Sequence, residues 1–157
     1  MMKTFLFNLI RKRKYDISIY TEEIFERRCQ EEIIRSDEDN SYFVYLEFDF
    51  EALRKVIPEE EEFNQFWDVF FAALSKGGRS SDIIGFLENE AGIGLLLLDS
   101  RIEGWTRVKG RIDQMAIVLD FKKDMMSILN KVVKPILYPA CIQNVDNPAV
   151  QASSASV

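Results

Sequence analysis

Apolar residues along this chain change their spacing several times, and each change marks an element. After Thr21, the positions Ile24, Phe25, Cys29 and Ile33 recur at helical intervals, with Glu26, Arg27, Glu31 and Arg35 between them. Thr21 is a residue that caps helices, and Glu22 and Glu23 carry the right charge for a first turn. The polar cluster at residues 37–40 predicts an end near Ser36. The spacing then shortens to two in SYFVYLEFDF, the pattern of a strand. Tyr42, Val44, Leu46, Phe48 and Phe50 point one way, and Phe43, Tyr45, Glu47 and Asp49 point the other. EALRKVIPEEEE predicts a turn or short helix interrupted near Pro58.

A second helical stripe follows in Phe63, Phe66, Trp67, Phe70, Phe71 and Leu74, stopped by Lys76, Gly77 and Gly78. Such a stripe is either core or a partner groove; core is the commoner use. Residues 82–87 and 93–98 predict two strands around a polar turn at 88–92. The second is apolar on both faces, which places it mid-sheet, and Gly94 within it leaves room for a close neighbour. Asp99 or Ser100 can cap a helix carrying Trp105, Val108, Ile112, Met115, Ala116 and Leu119. That helix either continues through Leu129 or breaks near Asp120. Trp105 is expected near the rim, because a buried indole N–H needs a partner. VVKPILYPAC reads as a last strand, held to an edge or bulge by Pro135. Strands mixed with helices around one central hairpin predict an α+β sandwich close to the βαββαβ order. Residues 1–17 form an N-terminal segment, 18–142 the domain, and 143–157 a small, polar tail expected to be disordered.

Composition narrows the chemistry. The chain has 157 residues and a net charge of −6, so a general nucleic-acid binder is not expected. It has no histidine, which removes Ser-His-Asp and Cys-His catalysis and the usual zinc sites. Chemistry here would rest on carboxylates, Lys, Arg or an oxygen-bound hard metal. Its two cysteines, Cys29 and Cys141, make no disulfide framework. No apolar run is long enough to cross a bilayer, and MMKTFLFNLIRKRK has its charges after its apolar part, unlike a secretory signal. A cytoplasmic protein is expected. Phe5, Leu6, Phe7, Leu9 and Ile10 either pack on their own domain or touch a membrane or partner.

Several patterns together resemble a known family. Glu32-Ile33-Ile34-Arg35 supplies an E-x-x-R helix, Glu47-Phe48-Asp49 an acidic strand end, and Arg79-Ser80-Ser81-Asp82 an R-x-x-D before a hairpin. Over roughly residues 21–140 the chain resembles a GGDEF domain, the diguanylate cyclase fold. The run Arg79, Asp82, Ile84, Gly85, Phe86, then Ile93, Gly94, Leu95, Leu96, Leu97 and Ser100, is similar to a divergent branch found beside bacterial exopolysaccharide sugar transferases. The resemblance implies a nucleotidyl-cyclase/ferredoxin-like sandwich with an N-terminal helix and a mostly antiparallel sheet covered by helices. The family's signature falls on Glu88, Asn89, Glu90, Ala91 and Gly92, so both leading glycines are replaced.

Three expectations follow. The first is a catalytically inactive regulatory or scaffolding domain, not an enzyme, with no cofactor, acting through a protein partner or homodimer in exopolysaccharide biosynthesis or signalling. The alternative is an enzyme that binds magnesium and a nucleotide through Glu47 and Asp49. The third is an unrelated α+β domain sharing only the element order. Glu47, Asp49 and Glu90 are vestigial metal-ligand candidates; Glu47 and Asp49 are otherwise a solvated strand end or a helix cap. Glu88 and Glu90 are ligands or simply a polar turn. Arg79 and Asp82 are read as a structural pair rather than an inhibitory dinucleotide site.

Overall fold

The computed structural model describes residues 2–77 and 82–139. The elements run α1 (Met2–Arg13), β1 (Ile19–Tyr20), α2 (Glu22–Asp39), β2 (Phe43–Asp49), α3 (Phe50–Val56) and α4 (Glu60–Gly77). Then come β3 (Ile83–Phe86), a 3-10 turn (Glu88–Glu90), β4 (Gly92–Leu98), α5 (Ile102–Val118), α6 (Met125–Val132) and β5 (Ile136–Tyr138).

The five strands lie in the order β1-β3-β4-β2-β5. β4 runs antiparallel to both β2 and β3, so β2 and β3 are parallel to each other with β4 inserted between them. β2 is also antiparallel to β5, so β4 and β5 form a second parallel pair, split by β2. Two interlocked split βαβ units are the βαββαβ ferredoxin-like sandwich. The expected α+β class and mostly antiparallel sheet are therefore the observed ones. β1 is an addition, pairing parallel with β3 through Ile19 and Tyr20.

One sheet face carries the main core. Val44, Leu46 and Phe48 of β2 meet α4 and α5, with α1, α3 and α6 around them. The α4 stripe is core: Phe66, Trp67, Phe70 and Phe71 are fully buried, and Trp67 packs edge-on to Phe50, Phe63, Phe66 and Phe70. Each such burial is worth about 1.5–3 kcal/mol. Trp105 departs from expectation. It is only 2% exposed, edge-on to Phe48, because α5 turns it into the core rather than toward the rim.

Other details also differ. α5 starts one residue later than a cap at Ser100 would place it and two later than a cap at Asp99, with Arg101 as the boundary residue and no side-chain cap. The helical period breaks at Asp120, which takes a left-handed φ of 59° while the Phe121 N–H reaches back to the Ala116 carbonyl at 2.8 Å. α2 runs past Ser36 to Asp39 and closes on a left-handed Asn40, whose N–H donates to the Ser36 carbonyl. Thr21 bounds α2 without a side-chain cap bond. In α1, Leu6 is buried in the core and Phe5, Leu9 and Ile10 pack against it, while Phe7 remains 45% exposed. Among the described residues no helix is long and apolar enough to cross a membrane.

The opposite sheet face carries α2. Its anchor is Phe25, which sits over Gly85 and Gly94, residues paired across β3 and β4. A Cβ on either glycine would stand about 2.3–2.4 Å from Phe25 atoms, so the two bare backbones make the seat for the ring. The close neighbour expected at Gly94 is this side chain.

Candidate functional site

The strand pairing brings the sequence candidates toward one end of the sheet. Asp49 pairs with Gly92 and Glu47 with Gly94, so the end of β2 lies beside the hairpin turn. Alternation turns Phe43, Tyr45, Glu47 and Asp49 to the α2 side, as expected. Because α2 is seated over β3 and β4, the described residues leave the surface over β2 and β5 open. A groove of about 740 Å3 occupies it, reaching from Glu22 to Ile33 along α2 and from Ala91 to Ile136 across the sheet. Its floor is apolar, built on Phe43, Tyr45, Tyr138 and Ile136. Six carboxylates line it — Glu22, Glu23, Glu26, Glu47, Asp49 and Glu88 — and no Lys or Arg is among the described residues that do.

Each carboxylate has a defined environment. Asp49 Oδ1 accepts the Ala52 N–H at 2.8 Å and so caps α3, the helix-cap role read from its position. Glu47 Oε2 accepts the Tyr45 hydroxyl at 2.6 Å. Burial, and then that bond to a carboxylate, hold the Tyr45 phenol protonated far above its ordinary range. Glu22 pairs with Lys3 of α1 at 2.9 Å, which lowers its pKa. Asn89 and Glu90 project from the turn at left-handed φ of 59° and 54°, and Glu90 does not line the groove. Among the described residues no three His, Cys, Asp or Glu side chains gather as a metal site, so Glu47, Asp49 and Glu90 do not form one. Asp82 borders a separate cavity of about 390 Å3 with Asp16 and Ser75. Its expected partner Arg79 lies outside the described residues, as do Cys141 and residues 143–157.

Cys29, on α2, lines the groove as well. Burial pushes its thiol up to about 11, with the Glu26 carboxylate next in effect, Glu32 and Glu47 adding to it and Arg28 opposing. The thiolate is the reactive form. In a Cys141→Ser chain, the iodoacetamide rate should therefore keep rising about tenfold per pH unit beyond pH 9, levelling only near 11; a plateau close to 8.5 would contradict the buried setting. The same shift keeps a proton on the folded chain that the unfolded chain releases. Its stabilising effect is present below about pH 9 and is lost as pH rises toward 11. Sequence reasoning singled out neither Cys29 nor Tyr45, Ile136 and Tyr138 as site residues. The available signal was the apolar content of the strand face that also bears Glu47 and Asp49.

No family model matches the chain, and no curated protein matches it. Among solved structures, similarity is found to the diguanylate cyclase SiaD of Pseudomonas aeruginosa, in complex with its activator SiaC, at 18% identity and a TM-score of 0.44. That match covers 61% of this chain and 37% of the SiaD chain, so the chain spans well under half of that relative. The GGDEF domain of TpbB (YfiN) from the same organism matches at 16% identity and a TM-score of 0.49, over 82% of this chain and 81% of that one. A DGC protein of Thermotoga maritima matches at 14% identity and 0.47, over 78% and 83%. The expectation of a chain that is not an enzyme is corrected at this point: the structures found are diguanylate cyclase domains.

Proposed function

We propose that this cyclase-type domain is a regulatory or scaffolding unit that acts by binding a protein partner through the groove beside α2, in bacterial exopolysaccharide production or its signalling. The open, apolar, carboxylate-lined groove carries the reading. A phosphate-rich ligand would meet six carboxylates there, Glu22 among them paired with Lys3, and no Lys or Arg among the described lining residues, whereas a protein surface can fill an apolar floor of this size. The pathway rests on the pattern around Arg79 to Ser100 and its likeness to domains beside sugar transferases. The test is a photo-crosslinking residue placed at Ile136, 53% exposed in the groove, or at Ile117, 75% exposed on α5 across the sheet. A discrete adduct in the bacterium from position 136 and none from 117 is expected. No adduct from 136 removes the reading.

A second reading is nucleotide chemistry on the same wall. Magnesium carried by nucleotide phosphates needs only one or two protein carboxylates, and Glu47 and Asp49 both line the groove. GTP at 100 times its dissociation constant, with magnesium, would then stabilise the chain by about 2.7 kcal/mol. A thermal shift of that order that disappears in Glu47→Gln would favour this reading over the first.

A further inference from the structure

We propose that the groove's partner is a basic amphipathic helix, which lies beside α2 over β2 and β5 and completes the second helical layer of the sheet. The inference rests on the protein-interaction reading above and names the partner's chemistry.

Layer geometry comes first. Five strands spaced about 4.8 Å apart make a face about 20 Å wide. Packed helices lie about 8–10 Å apart, so such a face takes two side by side. One face of this sheet already has its pair, α4 and α5, over the main core. Among the described residues the other has α2 alone, fixed over β3 and β4 because Phe25 is seated on Gly85 and Gly94. The room left is one helix wide. Its length also fits: lining residues run from Glu22 to Ile33 along α2, which at about 1.5 Å per residue is about 16 Å, or three helical turns.

The surface chemistry then selects the helix. Ile33 is 37% exposed and Ile136 53%, and together with Tyr138 and Phe43 they give apolar contacts on both sides of the gap. An incoming helix can meet them with residues at i, i+3/i+4 and i+7. The six lining carboxylates, on α2, at the end of β2 and in the hairpin turn, offer opposite charge to Lys and Arg beside the apolar stripe and repel an acidic helix. Glu26 on α2 and Glu88 in the hairpin turn are both exposed. A second copy of this chain is a poor match. Its basic run, Arg11 to Lys14, closes an α1 whose Leu6, Leu9 and Ile10 are already used on its own core. Two chains of net charge −6 also repel each other.

The experiment uses the full chain and a labelled synthetic helix of about 14 residues, with a Leu stripe flanked by Lys and Arg. Binding is read by fluorescence anisotropy. The helix should bind, and Glu26→Lys/Glu88→Lys should weaken it by about tenfold or more at low salt, an effect that shrinks at ~0.3 M salt. In the Cys141→Ser chain the bound helix should slow alkylation of Cys29 at least several-fold, because that thiol lies in the groove. A peptide of equal charge with its Leu stripe shuffled should do neither. Equal binding by the double charge reversal, or binding that leaves Cys29 unprotected, overturns the proposal. If position 136 yields its adduct yet the cationic helix fails to bind, the partner chemistry is wrong and the protein-interaction reading stands. If position 136 yields none, that reading itself falls.

Discussion

Phe25→Ala should lower the unfolding free energy by about 3–5 kcal/mol, the range for emptying a buried aromatic site. The ring is 3% exposed and is stacked with Tyr45, 6.4 Å between centroids, on the face that α2 covers. Gly85 and Gly94 cannot fill the space it leaves. A double-mutant cycle tests the seat directly. Gly85→Ala alone puts a Cβ about 2.3 Å from the Phe25 ring and should cost about 1–3 kcal/mol, since α2 must lift to admit it. In the Phe25→Ala background the clash has no partner, and the added cost should fall close to zero. Urea unfolding of the four chains gives the coupling. Additive effects would mean that the glycines serve something other than the ring.

This arrangement marks the limit of what the sequence made legible. Period-two spacing in SYFVYLEFDF assigned each side chain of β2 to its face, because alternation is a geometric necessity in a strand. The burst of leucines put β4 mid-sheet for the same reason: both its faces are buried. What could not be read was where α2 would sit. Its apolar residues predict a helix with one sticky side, but only the pairing of Gly85 with Gly94 creates the shallow spot that draws Phe25 there. The groove is the complement of that choice, so it has no motif of its own. β1 was invisible because two residues have no period. The break after α5 was ambiguous because Asp120, rather than a glycine, takes the left-handed turn.

The same logic bears on the candidate residues. Glu47 and Asp49 looked like ligands because they share a strand face, and they do share a groove wall. Yet Asp49 has a structural duty to α3, and the hairpin turn holds Glu90 out of the groove. Aligning acidic residues along a chain says which of them are near in sequence. Whether they converge on one point depends on the turn, and here Asn89 and Glu90 both adopt left-handed backbone.

Gly92→Ala should be nearly as damaging as the loss of Phe25, at about 3 kcal/mol, and it acts on the backbone rather than on a side chain. A Cβ at this position would lie 2.2 Å from the Phe48 carbonyl oxygen and 3.0 Å from Asp49 Cα. Neither can rotate away, so β2 and β4 must part where Asp49 pairs with Gly92. Two backbone bonds meet at this point: Leu87 N–H donates to the Gly92 carbonyl at 2.9 Å, and Phe50 N–H donates to Ala91 at 2.9 Å. Hydrogen exchange at Leu87 and Phe50 should therefore accelerate more than exchange at the far end of the same ladder, where Phe43 faces Leu98. Asp49 and Glu88 would shift with the backbone, so binding in the groove should weaken even at temperatures where the variant stays folded. Uniform acceleration along the ladder would instead indicate global loss of stability, and would show that the close approach at Gly92 is not what holds this end of the groove together.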